Sequence, residues 1–504
     1  MTTIEAAEAV APGRTRLTIP HGHIEGLVAR NVQSFFSLPY AAPVTDERRF
    51  RGPQPVETWT GVRDATRPGP SAPQNVAAIE GLDWATLLGD LRYDGPEYLT
   101  LNVWTPDDAV ADRPVLVFVH GGSFVSGGKD APIYDGTAFA RDGVVCVTIN
   151  YRLGVEGFLP IPGVPTNLGL RDILAALRWT QDNIATFGGD PRNVTLVGES
   201  AGAAAVALLM VSPAGRGLFS RVICESGHAH LARDPASLQP VVRRLARRLS
   251  ITPDRAGFAS VPVKALLAAQ EWVMKPSLAL DLAGAKTLDL SFGARIAPVL
   301  DDDLVPQPPF DALRAGAVQD VDLLTGTTLE EANLFLAPGG VGRRLTGWQA
   351  QLFMRRAAPQ ARRVLRAFGL GETGVRPGQA LARALTDLMF RGPARRTAEL
   401  HHGRSWVFEF DWRSPALNGE LGAAHAVELP FVFDTLPAAS GPGALLGEHP
   451  PQALADRIHA LWVRFATDGS LPWPAYERQT RMVYRLERGA AEPEPEVPAA
   501  AFLP

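Results

Sequence analysis

From residue 99 to residue 211 the chain alternates short, uninterrupted apolar runs with stretches whose apolar positions recur at helical spacing. Residues 99–104, 114–119, 144–150 and 193–197 read as strands, 169–187 as a helix, and a second helix begins at Ala201. Apolar runs without polar alternation suit strands covered on both faces, and the helices between them suit the crossovers of a parallel sheet. The predicted class is α/β, with a large, twisted, mostly parallel central sheet flanked by helices. Leu174, Ala175, Leu177, Trp179 and Ile184 spread over a wide face of the 169–187 helix, and Gly188-Gly189-Asp190-Pro191 stops it with a glycine cap and a following proline. A later strand is read at 405–411.

Two regions have another pattern. Residues 231–290 and 340–400 are rich in Arg, Ala and Leu at helical spacing, as in Val241, Leu245 and Leu249 against Arg243, Arg244, Arg247 and Arg248. A solvated arginine face over a packed apolar face accounts for that pattern, so both are predicted to be helical insertions that cover the carboxyl edge of the sheet and enclose a pocket. Residues 1–14 and 488–504, low in aromatics and rich in Ala, Glu and Pro, read as tails. No repeat or long Gly/Ser linker divides the rest, which makes residues 1–504 one folding unit.

Composition narrows the partners. A net charge of −4 offers no clustered basic surface for phosphate backbones, so nucleic acid is not an expected partner. No run reaches the roughly 18 apolar residues of a membrane span, so no membrane partner is expected. Glu5 and Glu8 stand where a signal peptide would be basic or apolar, and Cys146 and Cys224 lie in apolar runs as buried free thiols. A reduced cytoplasmic setting is the resulting expectation.

The chemistry centres on Gly198-Glu199-Ser200-Ala201-Gly202, which follows an apolar strand and opens an apolar helix. A serine on such a sharp turn stands clear of the sheet in a strained backbone conformation, and the flanking glycines let strand and helix pass closely. An attacking serine needs donors for the charge that develops on the carbonyl oxygen. His120-Gly121-Gly122-Ser123-Phe124, after another buried strand, supplies them, and the N–H groups of Gly122, Ser123 and Ala201 are assigned as an oxyanion hole. A base and an orienting carboxylate must complete the set. On turns of this type the acid and then the histidine follow the serine in the chain. His425, in a small-residue loop after a strand, is the best-placed of the downstream histidines. Glu330 and Glu331, after the apolar run at 323–324, compete for the acid role, and spacing does not separate them.

With these residues in view, the chain resembles the type B carboxylesterases, the group that includes cholinesterases and bacterial para-nitrobenzyl esterases. The resemblance runs through Phe36-Ser37-Leu38-Pro39-Tyr40, Leu99-Thr100-Leu101-Asn102-Val103-Trp104, the His-Gly-Gly turn, Asn150-Tyr151-Arg152-Leu153-Gly154, residues 198–202, Gly326-Thr327-Thr328 with Phe335, and residues 425–430. It implies the α/β-hydrolase fold and a serine esterase with Ser200 as nucleophile, His425 as base and Glu331, five residues after Gly326, as acid. Glu199 and Ser226 match family positions near that triad. No metal or organic cofactor is implied, and the expected partner is a small-molecule ester. Carbamate or amide hydrolysis is the alternative, and a non-catalytic binding protein the remote one. Monomer and dimer stay equally open. Two departures stand out. Tyr98 and Ser71 occupy positions where exported members carry a disulfide, and Ala332 replaces the glycine after the acid.

Overall fold

The computed structural model describes residues 12–503 except 77, 84–86, 276–288, 290, 292 and 293. Thirteen strands form one sheet: β1 (Gly13–Ile19), β2 (Gly22–Ala29), β3 (Val32–Pro39), β4 (Val62–Asp64), β5 (Thr100–Pro106), β6 (Arg113–Val119), β7 (Val145–Ile149), β8 (Gly189–Glu199), β9 (Arg221–Glu225), β10 (Asp322–Thr328), β11 (Ser405–Phe410), β12 (Met482–Arg485) and β13 (Ala490–Pro493). Their order is β1-β2-β3-β5-β7-β6-β8-β9-β10-β11-β12-β13, with β4 paired to β2. From β7 to β12 every neighbour is parallel. Antiparallel pairs flank this block, among β1, β2, β3 and β5 on one side and at β13 on the other, while β4 joins β2 in parallel.

The parallel block is the part read from apolar runs, and its burial explains why. Residues 115–119 of β6 and all of β7 are fully covered, since helices lie on both faces of such a sheet. The helix Leu168–Asn183 continues as a single 3-10 turn to Phe187 and stops at Gly188, whose φ of 79° is the left-handed cap the sequence predicts. The helix Ala201–Val211 is apolar on every side and buried along its whole length. Helices Pro235–Leu249 and Val263–Met274 lie in the first predicted insertion, and five α-helices between Val341 and Leu400 in the second. Residues 276–288 of the first insertion lie outside the described residues.

The carboxyl end corrects an expectation. Residues 488–503 are not a free tail: β13 pairs with β12, Ala499 is buried among Met354, Leu365 and Leu388, and Glu494 forms an ion pair with the buried Arg395 at 2.8 Å. Their Ala/Pro/Glu composition gives no apolar periodicity, but an edge strand needs only backbone pairing and one buried carboxylate needs only a cation. At the other end, residues 1–11 of the expected 1–14 tail are outside the described residues, and β1 begins at Gly13.

Deleting residues 489–504 removes β13 and Glu494, the nearer of the two carboxylates paired with the buried Arg395 guanidinium, a change that costs up to about 3–5 kcal/mol. The thermal unfolding midpoint should fall by several degrees. An unchanged midpoint would return the segment to the status of a tail.

Candidate active site

Ser200, directly after β8, has φ 55° and ψ −121°, a conformation side-chain-bearing residues rarely adopt. Its neighbours show why two positions must be glycine. A Cβ on Gly202 would lie 2.0 Å from the Val119 carbonyl oxygen, and one on Gly198 would lie 2.5 Å from the Gly202 carbonyl carbon. The turn is therefore as tight as the backbones of β6, β8 and the following helix allow. Ser200 N donates to the Glu225 carbonyl at 2.9 Å, tying the turn to the end of β9.

The glycine turn after β6 abuts this serine, since a Cβ on Gly121 would come within 3.0 Å of Ser200 Cβ. Gly122, Ser123 and Phe124 all have positive φ, and the carbonyl of Gly122 accepts from Val125 and Ser126 N–H. Among the described residues the N–H groups of Gly122, Ser123 and Ala201 donate to no protein acceptor. His120 supports the turn, with its Nδ1 2.8 Å from the Gly121 carbonyl oxygen. Burial pulls it down to about 4, so it is neutral, and its ring stacks on Tyr151 at 4.5 Å.

Glu331 is fully buried and saturated with donors. Oε1 accepts from Ser226 Oγ at 2.6 Å and from Thr328 N at 2.8 Å, and Oε2 lies 2.6 Å from His425 Nδ1. Glu330 faces away, paired with Arg413 at 2.5 Å and accepting from Ala423 N at 3.1 Å. The geometry thus separates two residues that spacing could not. Ala332 sits at φ −70° and ψ −8°, so the position needs no glycine. Its N–H donates to Thr386 Oγ1 at 3.2 Å, and Arg391 donates to the Leu329 carbonyl at 2.7 Å. Both braces come from one segment, the π-helical turn Asp387–Arg391 and the residue before it. Phe390 of the same turn packs at a tilt against the His425 ring, with centroids 4.9 Å apart.

The imidazole of His425 lies between two carboxylates. Nε2 is 3.1 Å from Glu199 Oε1, opposite the Glu331 contact, and no hydrogen bond joins it to Ser200 Oγ. Burial works against the imidazolium, but Glu199 and Glu331 outweigh it and raise His425 to about 9. Burial in turn lifts Glu199 to about 7. Two further buried glutamates surround this set. Glu225, which accepts from Trp462 Nε1 at 3.0 Å, is pushed up to about 8 by burial, and Glu428 is raised well above the ordinary carboxylate range by burial and by Glu199.

Ser200, Glu331, His425, Glu199, Ser226 and the glycine turn at 120–124 lie together in the structure. Glu225, Phe390 and Arg391 were not foreseen, nor was Glu428 as part of the site. A carboxylate closing an apolar run is the signal that marks Glu225, and one set inside an apolar run marks Glu428. The arginine and phenylalanine carry none, because they act through tertiary packing. Among the described residues no His/Cys/Asp/Glu group could hold a metal ion.

Comparison with known proteins bears on the same arrangement. Residues 14–496 match the carboxylesterase family. The chain is 33% identical over 485 residues to a para-nitrobenzyl esterase of Bacillus subtilis, covering 94% of each, and 32% identical to a phenmedipham hydrolase of Pseudarthrobacter oxydans, covering 90% of this chain and 91% of that one. A solved carboxylesterase of Geobacillus stearothermophilus superposes with a TM-score of 0.81 at 33% identity, over 97% of this chain and 100% of that one. Matched along nearly its whole length in sequence and in architecture, this chain belongs to the carboxylesterase family and has the α/β-hydrolase fold.

Proposed function

We propose that this carboxylic ester hydrolase works through Ser200 as nucleophile, His425 as general base and Glu331 as the acid that orients and charges the imidazole. The observation that carries this reading is the buried 2.6 Å contact between Glu331 Oε2 and His425 Nδ1, beside the strained turn that bears Ser200. Ser200 Oγ attacks the ester carbonyl and its proton passes to His425 Nε2. That nitrogen faces Glu199 in the free protein and must turn to the hydroxyl once substrate is bound, since catalytic hydrogen bonds often tighten only in the complex. Glu331 stabilises the imidazolium that forms, and the N–H groups of Gly122, Ser123 and Ala201 hold the oxyanion, each such donor contributing about 3 kcal/mol. His425 protonates the leaving alcohol and then activates the water that cleaves the acyl-enzyme. Ser200 and water supply the two nucleophiles and His425 carries every proton, so the proposed cycle needs no metal or organic cofactor. The buried free thiols Cys146 and Cys224 support a cytoplasmic setting for the chain.

Ser200→Ala should lower kcat on para-nitrophenyl esters by about four to six orders of magnitude with an unchanged circular dichroism spectrum. Activity within about tenfold of wild type would remove Ser200 from the mechanism. A matched carbamate and anilide in the same assay decide between ester and amide-type hydrolysis, with the ester expected to turn over fastest.

The base must be neutral to act, so activity is lost as pH falls through the His425 value. Because two carboxylates raise that value, the acid limb of kcat/KM should centre above the ordinary imidazole value of about 6.5. Glu199→Gln removes the charge opposite Nε2 and should move the limb to lower pH, while Glu225→Gln should move it less. A limb at or below 6.5 in wild type, unmoved by Glu199→Gln, would contradict the assigned geometry.

A further inference from the structure

The helix Gly347–Met354 is apolar around most of its circumference. Ala350 and Met354 face inward and join the cluster that holds Ala332 and Leu336, just beyond the acid turn. Trp348, Leu352 and Phe353 face outward, with Trp348 65% exposed. A helix with apolar residues on both sides is ordinarily buried on both sides, and this one is covered on only one. The insertion was expected to turn arginines outward over a packed apolar face. Instead, apolar and arginine side chains share the outer surface.

The charge of the segment that carries this face is one-sided. Residues 341–367 contain seven arginines and neither aspartate nor glutamate, in a chain whose net charge is −4. Arg343 pairs with Glu420 at 2.8 Å. Arg344, Arg355, Arg362, Arg363 and Arg366 are exposed and meet no carboxylate among the described residues. The Arg356 guanidinium lies over the Phe353 ring, 5.3 Å from its centroid, so cation and aromatic ring occupy one patch. Phe335, half exposed in the neighbouring helix Asn333–Leu336, is 5.7 Å from the His425 ring and brings exposed apolar surface up to the active site.

We propose that this face docks onto an anionic lipid bilayer. Trp348, Leu352 and Phe353 would enter the boundary between headgroups and acyl chains, and the uncompensated arginines would sit at the level of the phosphates. A second copy of the chain is a poorer occupant, because a twofold contact would oppose arginine to arginine. Among the described residues no helix is long and apolar enough to cross a membrane, and none is needed, because the attachment is peripheral. This revises the expectation of no membrane partner, which rested on the lack of a long apolar run. Ester substrates that partition into a bilayer would then reach the site from the surface on which the cap rests.

The test is co-sedimentation of the full chain with vesicles of phosphatidylglycerol and phosphatidylcholine in equal parts, and with phosphatidylcholine alone, at low and high salt. Binding is expected only to the anionic vesicles and should weaken with salt. Trp348→Ser combined with Leu352→Ser, and separately Arg362→Glu combined with Arg363→Glu, should each weaken binding at least about tenfold. Both variants should hydrolyse soluble para-nitrophenyl acetate within about twofold of wild type, which shows that they fold. The proposal is overturned if wild type does not sediment with anionic vesicles at low salt, or if both variants bind as wild type does. It is equally overturned if wild type forms a dimer that Trp348→Ser dissociates and binds no vesicles.

Discussion

The hydrogen bond between Glu331 and His425 joins residues 94 positions apart and brings two charges into a site from which water is almost excluded. Burying a carboxylate is costly unless donors surround it. Much of the local architecture supplies those donors. Ser226 reaches Glu331 from the end of β9, Thr328 N–H from the end of β10, and His425 from the loop after β11. Three strand ends of the parallel block therefore converge on one side chain, where open α/β sheets place their ligands and catalytic groups. The turn Asp387–Arg391 then clamps the backbone on which that side chain rides.

Charge around the imidazole is balanced by protonation as well as by pairing. Four glutamates, Glu199, Glu225, Glu331 and Glu428, are nearly inaccessible to solvent. Were all four ionised beside a single imidazolium, the net charge of the site would be strongly negative. Burial instead raises Glu225 and Glu428, so protons remain there, while Glu331 is surrounded by three donors and Glu199, lifted only to about 7, is the carboxylate opposite Nε2. The same side-chain type thus takes different roles according to the number of donors around it.

Much of this was legible in the sequence, and for physical reasons. Apolar runs reported the parallel strands because burial on both faces leaves no polar alternation. The serine turn was legible because the close approach at Gly198 and Gly202 excludes every larger residue. Glu330 and Glu331 could not be told apart by spacing. Which of two adjacent carboxylates turns inward is decided by Arg413 and the Ala423 N–H on one side and by Ser226 and His425 on the other, all distant in the chain. The carboxyl-terminal strand was missed because backbone pairing leaves no mark on composition. The outward apolar face of Gly347–Met354 was missed because periodicity cannot say which side of an evenly apolar helix meets the core.

The most direct test of the central claim is covalent labelling with a fluorophosphonate, followed by peptide mapping. The account predicts one label per chain, on Ser200, formed in step with loss of esterase activity and suppressed in His425→Ala. Complete inactivation with the label on another residue, or full activity after Ser200 is labelled, would contradict it.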